Sequence, residues 1–316
     1  MFGTVAIAAA IVTPVASASG APATAITTTT AVATTTPASG VAPATAASGA
    51  ASTANSQCRR SPVVYLVPHQ DDEVLSMAAS IRRMVGRSGA ACVHLVLVTD
   101  GISSGARTSM ARGWVPVGGS GVVRVSLTPA QFGAARDREF RAAAARLGVP
   151  AANVHLGLPK APRVPALTPA ASRQIVSAAI DRFGTRAGYT TMSDSDPLAD
   201  HRNLGTALRQ VGATRKVSST SFLYPPYRMP APRQLSPTVA TNDADRIAIR
   251  QAAAEYGRYD PRAGRYGIGW VSVPQQFGGP ALTLRFVSDG GQQWSPGPIR
   301  SPNVALYRGY VSYLHR

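Results

Sequence analysis

Apolar positions in this chain follow two rhythms. Val63 to Val67 and Val93 to Thr99 are continuous, β-branched runs, the first ending at Pro68-His69 and the second at Asp100-Gly101. Runs of this kind suit strands buried on both faces. Between them, from Glu73 to Val85, Val74, Met77, Ile81, Met84 and Val85 recur at helical spacing. Arg82, Arg83 and Arg87 gather toward the C-terminal end of that segment, where the helix dipole favours cations. The alternation predicts a βαβ unit.

The same order repeats downstream. The Gly-rich stretch from Gly101 to Gly121 shows no periodicity, so no helix is expected to follow Ser103, whereas Pro129 to Leu147 reads as a long Ala-rich helix stopped by Gly148. Then come a strand at Val154 to Leu158, a helix at Pro169 to Phe183, a strand at Tyr189 to Met192, a helix from about Asp200 to Val211, and a strand at Ser218 to Tyr224. Strands alternating with helices predict an α/β, Rossmann-like fold, a mostly parallel sheet with helices on both faces. Ligands in such sheets bind beyond the carboxyl ends of the strands. The loops that hold His69, Asp100 and Asp194 to His201 should therefore converge on one crevice. In residues 225–316, Asp243 to Tyr256 is a predicted helix, and the remainder suggests short strands and loops packed on the same domain.

Charge separates the first part of the chain from the rest. Residues 1–57 contain no charged side chain, so all 32 basic and 15 acidic residues, and the net charge of +17, lie from Arg59 onward. A short apolar run over residues 2–13, then Pro14 and Ala16-Ser17-Ala18, has the pattern of a signal peptide spanning 1–18, too short for a membrane span. Residues 19–57 are almost entirely Ala, Thr, Ser, Pro and Gly and predict a disordered linker. The folded domain is then 58–316, large enough to form a core without staples. Cys58 and Cys92 each stand just before one of the first two strands, and parallel strands begin at the same end of a sheet. In a secreted, extracellular or cell-envelope protein the pair should form a disulfide. The basic residues are scattered arginines with only Lys160 and Lys216 as lysines, so no nucleic acid is expected; an anionic envelope polymer stays open as a partner.

The five histidines differ in setting. His94 and His155 sit inside apolar strand runs and read as core or sheet histidines, and His315 is near the terminus. His69 and His201 lie in polar loops at strand ends, where binding residues accumulate. The segment from Pro68 to Glu73 (PHQDDE) puts one imidazole and three carboxylates on a strand-to-helix turn. Helix capping by Asp71 or Asp72 accounts for one acid, but not for three with a histidine. A second acidic loop, Ser193 to Asn203, ends in Asp200-His201. Two histidines and a carboxylate meeting in a crevice give the three-ligand site with an open position that catalytic zinc requires.

These motifs stand in order with Thr99-Asp100-Gly101, Arg136-x-x-Glu139, Leu147-Gly148-Val149, Val154-x-Leu156-Gly157-Leu158-Pro159 and Asp200 to Gly205 (DHRNLG). From Val63 to Tyr227 the chain resembles the PIG-L (LmbE-like) family of zinc-dependent N-deacetylases. The resemblance implies a secreted hydrolase that removes the acetyl group from an N-acetylglucosamine-type amino sugar on a small-molecule or glycan carrier. It implies one Zn²⁺ per chain held by His69, Asp72 and His201, with Asp71 as general base and Arg136 in contact with substrate. Glu73 and Asp200 would orient their neighbours. Two positions depart from the family pattern: Gln70 replaces the usual Pro, and Leu198 replaces a His thought to help hold the oxyanion. The alternative is a catalytically weakened binding protein for glycans or anionic polymers on the same fold.

Two competing motifs are weaker. Gly101-Ile-Ser-Ser-Gly105 matches the G-x-S-x-G of serine hydrolases but lacks the expected helix. Gly118-Gly-Ser-Gly121 is not preceded by a strand, and the first strand lacks the GxGxxG of dinucleotide binding.

Overall fold

The computed structural model describes residues 58 and 60–224 (except 114, 119 and 120), 242–277 (except 274 and 275), and four strand segments at 236–237, 284–286, 292–294 and 313–314. The expected signal peptide and linker, and His315, lie outside the described residues.

The first half runs β1 (Val63–Val67), α1 (Asp72–Leu75), α2 (Ala78–Ser88), β2 (Val93–Leu97), α3 (Ala106–Ala111), β3 (Val115–Gly118), β4 (Gly121–Val123), α4 (Pro129–Arg146) and β5 (Val154–Leu156). The second continues with α5 (Pro169–Phe183), β6 (Gly188–Met192), α6 (Ala199–Thr214), β7 (Ser219–Tyr224), β8 (Ser236–Pro237) and α7 (Asp243–Glu255). Short elements follow: β9 (Tyr259–Asp260), β10 (Arg265–Tyr266), α8 (Ile268–Ser272), β11 (Leu284–Phe286), β12 (Gln292–Trp294) and β13 (Tyr313–Leu314).

The main sheet has the order β5-β2-β1-β6-β7-β13-β8. Its first five strands are parallel, and β13 pairs antiparallel with both β7 and β8. Alternate residues of the buried strands feed opposite faces, as the pleat requires. Tyr65, Val67, Leu95 and Leu97 join α2, α4 and α7 in one core, whereas Val64, Leu66, Val96 and Tyr189 join α5 and α6 in the other. Helix starts are set locally. Thr128 and Gln131 form a reciprocal capping box on α4, Thr168 caps α5 ahead of Pro169, and Asn242 caps α7.

Two expectations need correction. The helix expected from Glu73 to Val85 is broken, because the Asp72 carbonyl accepts from both Ser76 N (2.9 Å) and Met77 N (3.2 Å), and the second bond skips five residues. The stretch from Gly101 to Gly121 is also not structureless: it holds α3 and a β3–β4 hairpin, so a strand does run into Gly118-Gly-Ser-Gly121, contrary to expectation. Ala106, Met110 and Val115 pack there on Phe132, Ala135 and Ile268 in a third core, which elements distant in sequence complete. His94 and His155 are half-buried sheet residues, with His94 Nδ1 3.3 Å from His155 Nε2 and both rings against Phe183. Among the described residues no helix is long and apolar enough to cross a membrane.

The starts of β1 and β2 lie side by side, with Val63 opposite Val93. Cys58 and Cys92 are joined there in a disulfide closing a separation of 34 residues. A loop of that length restricts the unfolded chain by about 3–4 kcal/mol. The double variant Cys58→Ser/Cys92→Ser should lose about that much stability in urea unfolding, and the native protein should show no titratable thiol.

Candidate active site

The sheet changes winding direction between β1 and β6: the chain fills positions outward from β1 through β2 to β5, then returns to the other side of β1. At such a switch point the loops leaving the two strands diverge and open a crevice. Here the crevice is a cavity of about 390 Å³. Its lining includes His69, Asp71 and Asp72 after β1, Ser103 and Ser104 after β2, and Leu198, Asp200 and His201 after β6.

At its floor three electron-pair donors face one another. His69 Nδ1 lies 3.2 Å from Asp72 Oδ2, His201 Nε2 lies 3.1 Å from the same oxygen, and the two ring nitrogens are 3.3 Å apart. Asp72 reaches this position by folding back over its own turn, where its Oδ2 also accepts the His69 backbone N–H at 3.0 Å. His201 is placed by α6, whose Gly205 presses on the end of β6. A Cβ on Gly205 would come within 2.6 Å of the Met192 carbonyl and 2.5 Å of Asp194 N, so only glycine permits that approach.

The outer ring nitrogens are fixed as well. His69 Nε2 is 3.0 Å from Asp200 Oδ2, and His201 Nδ1 is 3.0 Å from Asp196 Oδ2. A carboxylate only accepts, so each outer nitrogen carries hydrogen, and in a neutral ring the inner nitrogen is left with its lone pair toward Asp72. In the neutral rings three acceptors would then stand at contact distance; protons on the inner nitrogens relieve that conflict by donating to Asp72, and a metal ion would take the place of those protons. The titration behaviour expresses the same demand. Burial would lower the pKa of His201, but the Asp72 charge and hydrogen bonds to Asp196 and Asp72 push it up to about 10. Burial likewise opposes protonation of His69, and its bonds to Asp200 and Asp72 raise it nonetheless. Asp72 is held well below the usual carboxylate range against its burial, by His201 first and then His69. Donors about 2.0–2.1 Å from a tetrahedral ion sit about 3.3–3.4 Å apart, close to the observed spacing. His69, Asp72 and His201 therefore could hold a metal ion.

Asp71 sits beside the triad with φ +109°, a conformation non-glycine residues rarely adopt, and its side chain makes no capping bond to α1. Capping thus fails to explain this acid. Its Oδ2 lies 3.4 Å from Arg136 Nη2. Burial pushes the Asp71 carboxyl up to about 7, with Arg136 opposing the rise and Asp72 adding to it.

Residues 64–211 match the model of the PIG-L family, described as GlcNAc-PI de-N-acetylase. The matched segment, 148 of the 316 residues, contains His69, Asp71, Asp72, Arg136 and His201. Solved structures similar to the chain include the A40926 pseudoaglycone deacetylase, at 20% identity over 63% of this chain and 82% of that one, TM-score 0.43. They also include N,N'-diacetylchitobiose deacetylase from Pyrococcus horikoshii, at 15% identity over 70% and 76%, TM-score 0.40. A third is 4-carboxy-2-hydroxymuconate hydratase from Pseudomonas putida, at 17% identity over 60% and 78%, TM-score 0.40. Comparison with curated proteins gave no significant match.

The structure gives the other expected residues of the matched segment definite places. Arg136 lines the cavity but is only 3% exposed, its guanidinium donating to the carbonyls of Gln70 (2.6 Å) and Gly101 (3.2 Å). Gln70 is buried, and its amide donates to Asp100 O and Asp137 Oδ1, tying the β1 loop to the β2 loop and to α4. Gly101 (φ +69°) accommodates it, since a Cβ there would fall 2.2 Å from Gln70 Oε1. Asp200 touches His69, whereas Glu73 touches neither histidine. It accepts instead from Asp71 N (3.1 Å) and the Tyr256 hydroxyl (2.6 Å). Leu198 is 38% exposed on the cavity lining. Ser103, although α3 follows it, donates its hydroxyl to the Pro165 carbonyl at 3.4 Å rather than to an imidazole.

Sequence reasoning missed Asp196 and Tyr256. Asp196 stands five residues before His201, and only the bend of the loop turns it back onto the ring. Tyr256 lies beyond the matched segment, with nothing local to mark it. Asp196 is fully buried and also accepts the Leu198 N–H at 2.8 Å. Replacing it by Asn should free the His201 ring and weaken divalent metal binding by about 10–100-fold in calorimetric titration, with the fold intact by circular dichroism.

Proposed function

We propose that this chain is a secreted, zinc-dependent deacetylase of an N-acetylated amino sugar of the N-acetylglucosamine type. The observation that carries the reading is the set of three mutually facing donors, His69, Asp72 and His201, with Asp71 beside them on one cavity. The PIG-L family match supports the amide-hydrolase class. Export is supported by the signal-peptide pattern and by the Cys58–Cys92 disulfide.

Zinc bound by the triad would supply Lewis acidity at the acetyl carbonyl and make water nucleophilic near neutral pH. The chain's own contribution is proton handling. Asp71 takes a proton from the attacking water as the oxygen bonds to the carbonyl carbon. The carbon–nitrogen bond then breaks, and Asp71 returns the proton to the departing nitrogen, leaving acetate and a free amine. Burial lifts the Asp71 carboxyl above the usual carboxylate range, while Arg136 and a bound cation would pull it back toward the charged form that accepts a proton. Arg136, bonded to both Gln70 and Gly101, keeps the β1 and β2 loops in register around that carboxylate. Asp72, occupied by both histidines, is not free for the same task.

Acetate release from a panel of N-acetylated sugars should depend on zinc and stop with a chelator. Asp71→Asn should keep metal stoichiometry and lose at least about 100-fold in kcat; loss of metal together with activity would make Asp71 a ligand instead.

Leu198 favours a second reading, a binding protein for glycans or anionic polymers, because it offers no donor to an oxyanion where the family pattern has His. A lost donor of this kind costs about 3 kcal/mol. Leu198→His should speed the enzyme about tenfold, equivalent to about 1.4 kcal/mol. Absence of turnover in both forms with zinc bound would support the binding protein.

A further inference from the structure

The strained turn at Asp71 is held from behind by a residue outside the matched segment. Asp71 has φ +109° and ψ −28°, and its N–H donates to Glu73 Oε2 at 3.1 Å. The other oxygen of Glu73 accepts the Tyr256 hydroxyl at 2.6 Å. Glu73 and Tyr256 are fully buried. Tyr256 follows the last turn of α7, its ring packed against Phe277 at 5.3 Å between centroids, and its backbone carbonyl accepts from Trp270 N. The chain of contacts is therefore α7, Tyr256 hydroxyl, Glu73 carboxyl, Asp71 amide.

Two features make this more than core packing. A buried carboxyl is a costly group, and here both oxygens are spent, one on the backbone of the residue with the unusual φ and one on a hydroxyl brought from nearly two hundred residues away. A left-handed non-glycine residue also persists only where its surroundings over-determine it. Arg136 holds the Asp71 side chain and the Gln70 carbonyl from the α4 side, and Glu73 holds the Asp71 amide from the α7 side.

We propose that Tyr256, acting through Glu73, is a positioning residue that fixes the backbone of Asp71 and so aims its carboxylate into the cavity. The inference rests on the deacetylase reading for its kinetic test, and on geometry alone for its structural one. The elements after residue 211 then take part in the chemistry, since α7 completes a site whose other parts lie in the matched segment.

The test compares Tyr256→Phe, Glu73→Ala and Glu73→Gln in the full-length, zinc-loaded protein. Ile249→Val, a buried change on the same helix, serves as the packing control. Tyr256→Phe should lower kcat about tenfold on an N-acetylglucosamine compound while KM and zinc stoichiometry stay within about twofold. Hydrogen exchange at the Asp71 amide should quicken at least about fivefold. Glu73→Ala should do the same or more. Glu73→Gln should retain most activity and protection, because an amide can still accept from Asp71 N–H and donate to the Tyr256 oxygen. Ile249→Val should lower the melting temperature without changing kcat or the exchange. Unchanged Asp71 exchange in Tyr256→Phe would overturn the proposal, and so would loss of zinc in step with kcat, which would place the effect on the ligands. If no N-acylated substrate turns over in the native protein, the deacetylase reading fails by itself, and the exchange measurement still decides whether Tyr256 fixes Asp71.

Discussion

Two imidazole nitrogens and one carboxylate oxygen lie within about 3.3 Å of one another, and Asp72 draws positive charge onto both rings. With neutral rings this contact would be repulsive, so it needs a positive charge, carried by ring protons or by a metal ion, and burial removes the water that would otherwise screen it. Much of the surrounding loop structure serves to keep these groups turned inward. Asp196 and Asp200 fix the ring orientations, and Asp200 is itself fixed by the Leu167 N–H. The β1 turn closes on the Asp72 carboxylate through the His69 amide. A side chain free to rotate would relieve the conflict, and the capacity for a cation would go with it.

Holding such a cluster is costly, and the cost is spread over the fold. The positive φ of Asp71 alone represents about 1–3 kcal/mol of strain. The buried carboxyl groups of Asp72, Glu73 and Asp196 each need hydrogen-bond partners. The two cores on either side of the parallel sheet supply the offsetting stabilisation. They also anchor the elements that reach into the site: α4 through Arg136, α6 through His201, and α7 through Tyr256.

The sheet order gives these elements their shared target. Because β6 lies next to β1 rather than beyond β5, the loop carrying Asp196 to His201 emerges beside the one carrying His69 to Glu73. Residues 132 apart in sequence can then place ring nitrogens at 3.3 Å. The neighbouring β2 loop adds Gly101, whose missing side chain leaves room for the buried Gln70 amide.

The alternating rhythm of buried strands and amphipathic helices was sufficient in the sequence for the α/β class, for strand β1, and for helix α5 to the residue. Both signals are local, resting on burial period and capping. His69, Asp72 and His201 were readable as candidates because polar, ligand-type residues cluster at strand ends, and the ordered motifs resembled one family. Tertiary structure decided the rest. The break after Leu75 depends on which amides the Asp72 carbonyl accepts, and α3 with its hairpin exists because Phe132 and Ile268 complete a core for a stretch that has no periodicity of its own. Asp196 and Tyr256 were invisible for the same reason: a hydrogen-bond partner is chosen by the direction in which a folded backbone points a side chain, and neither composition nor spacing records that direction.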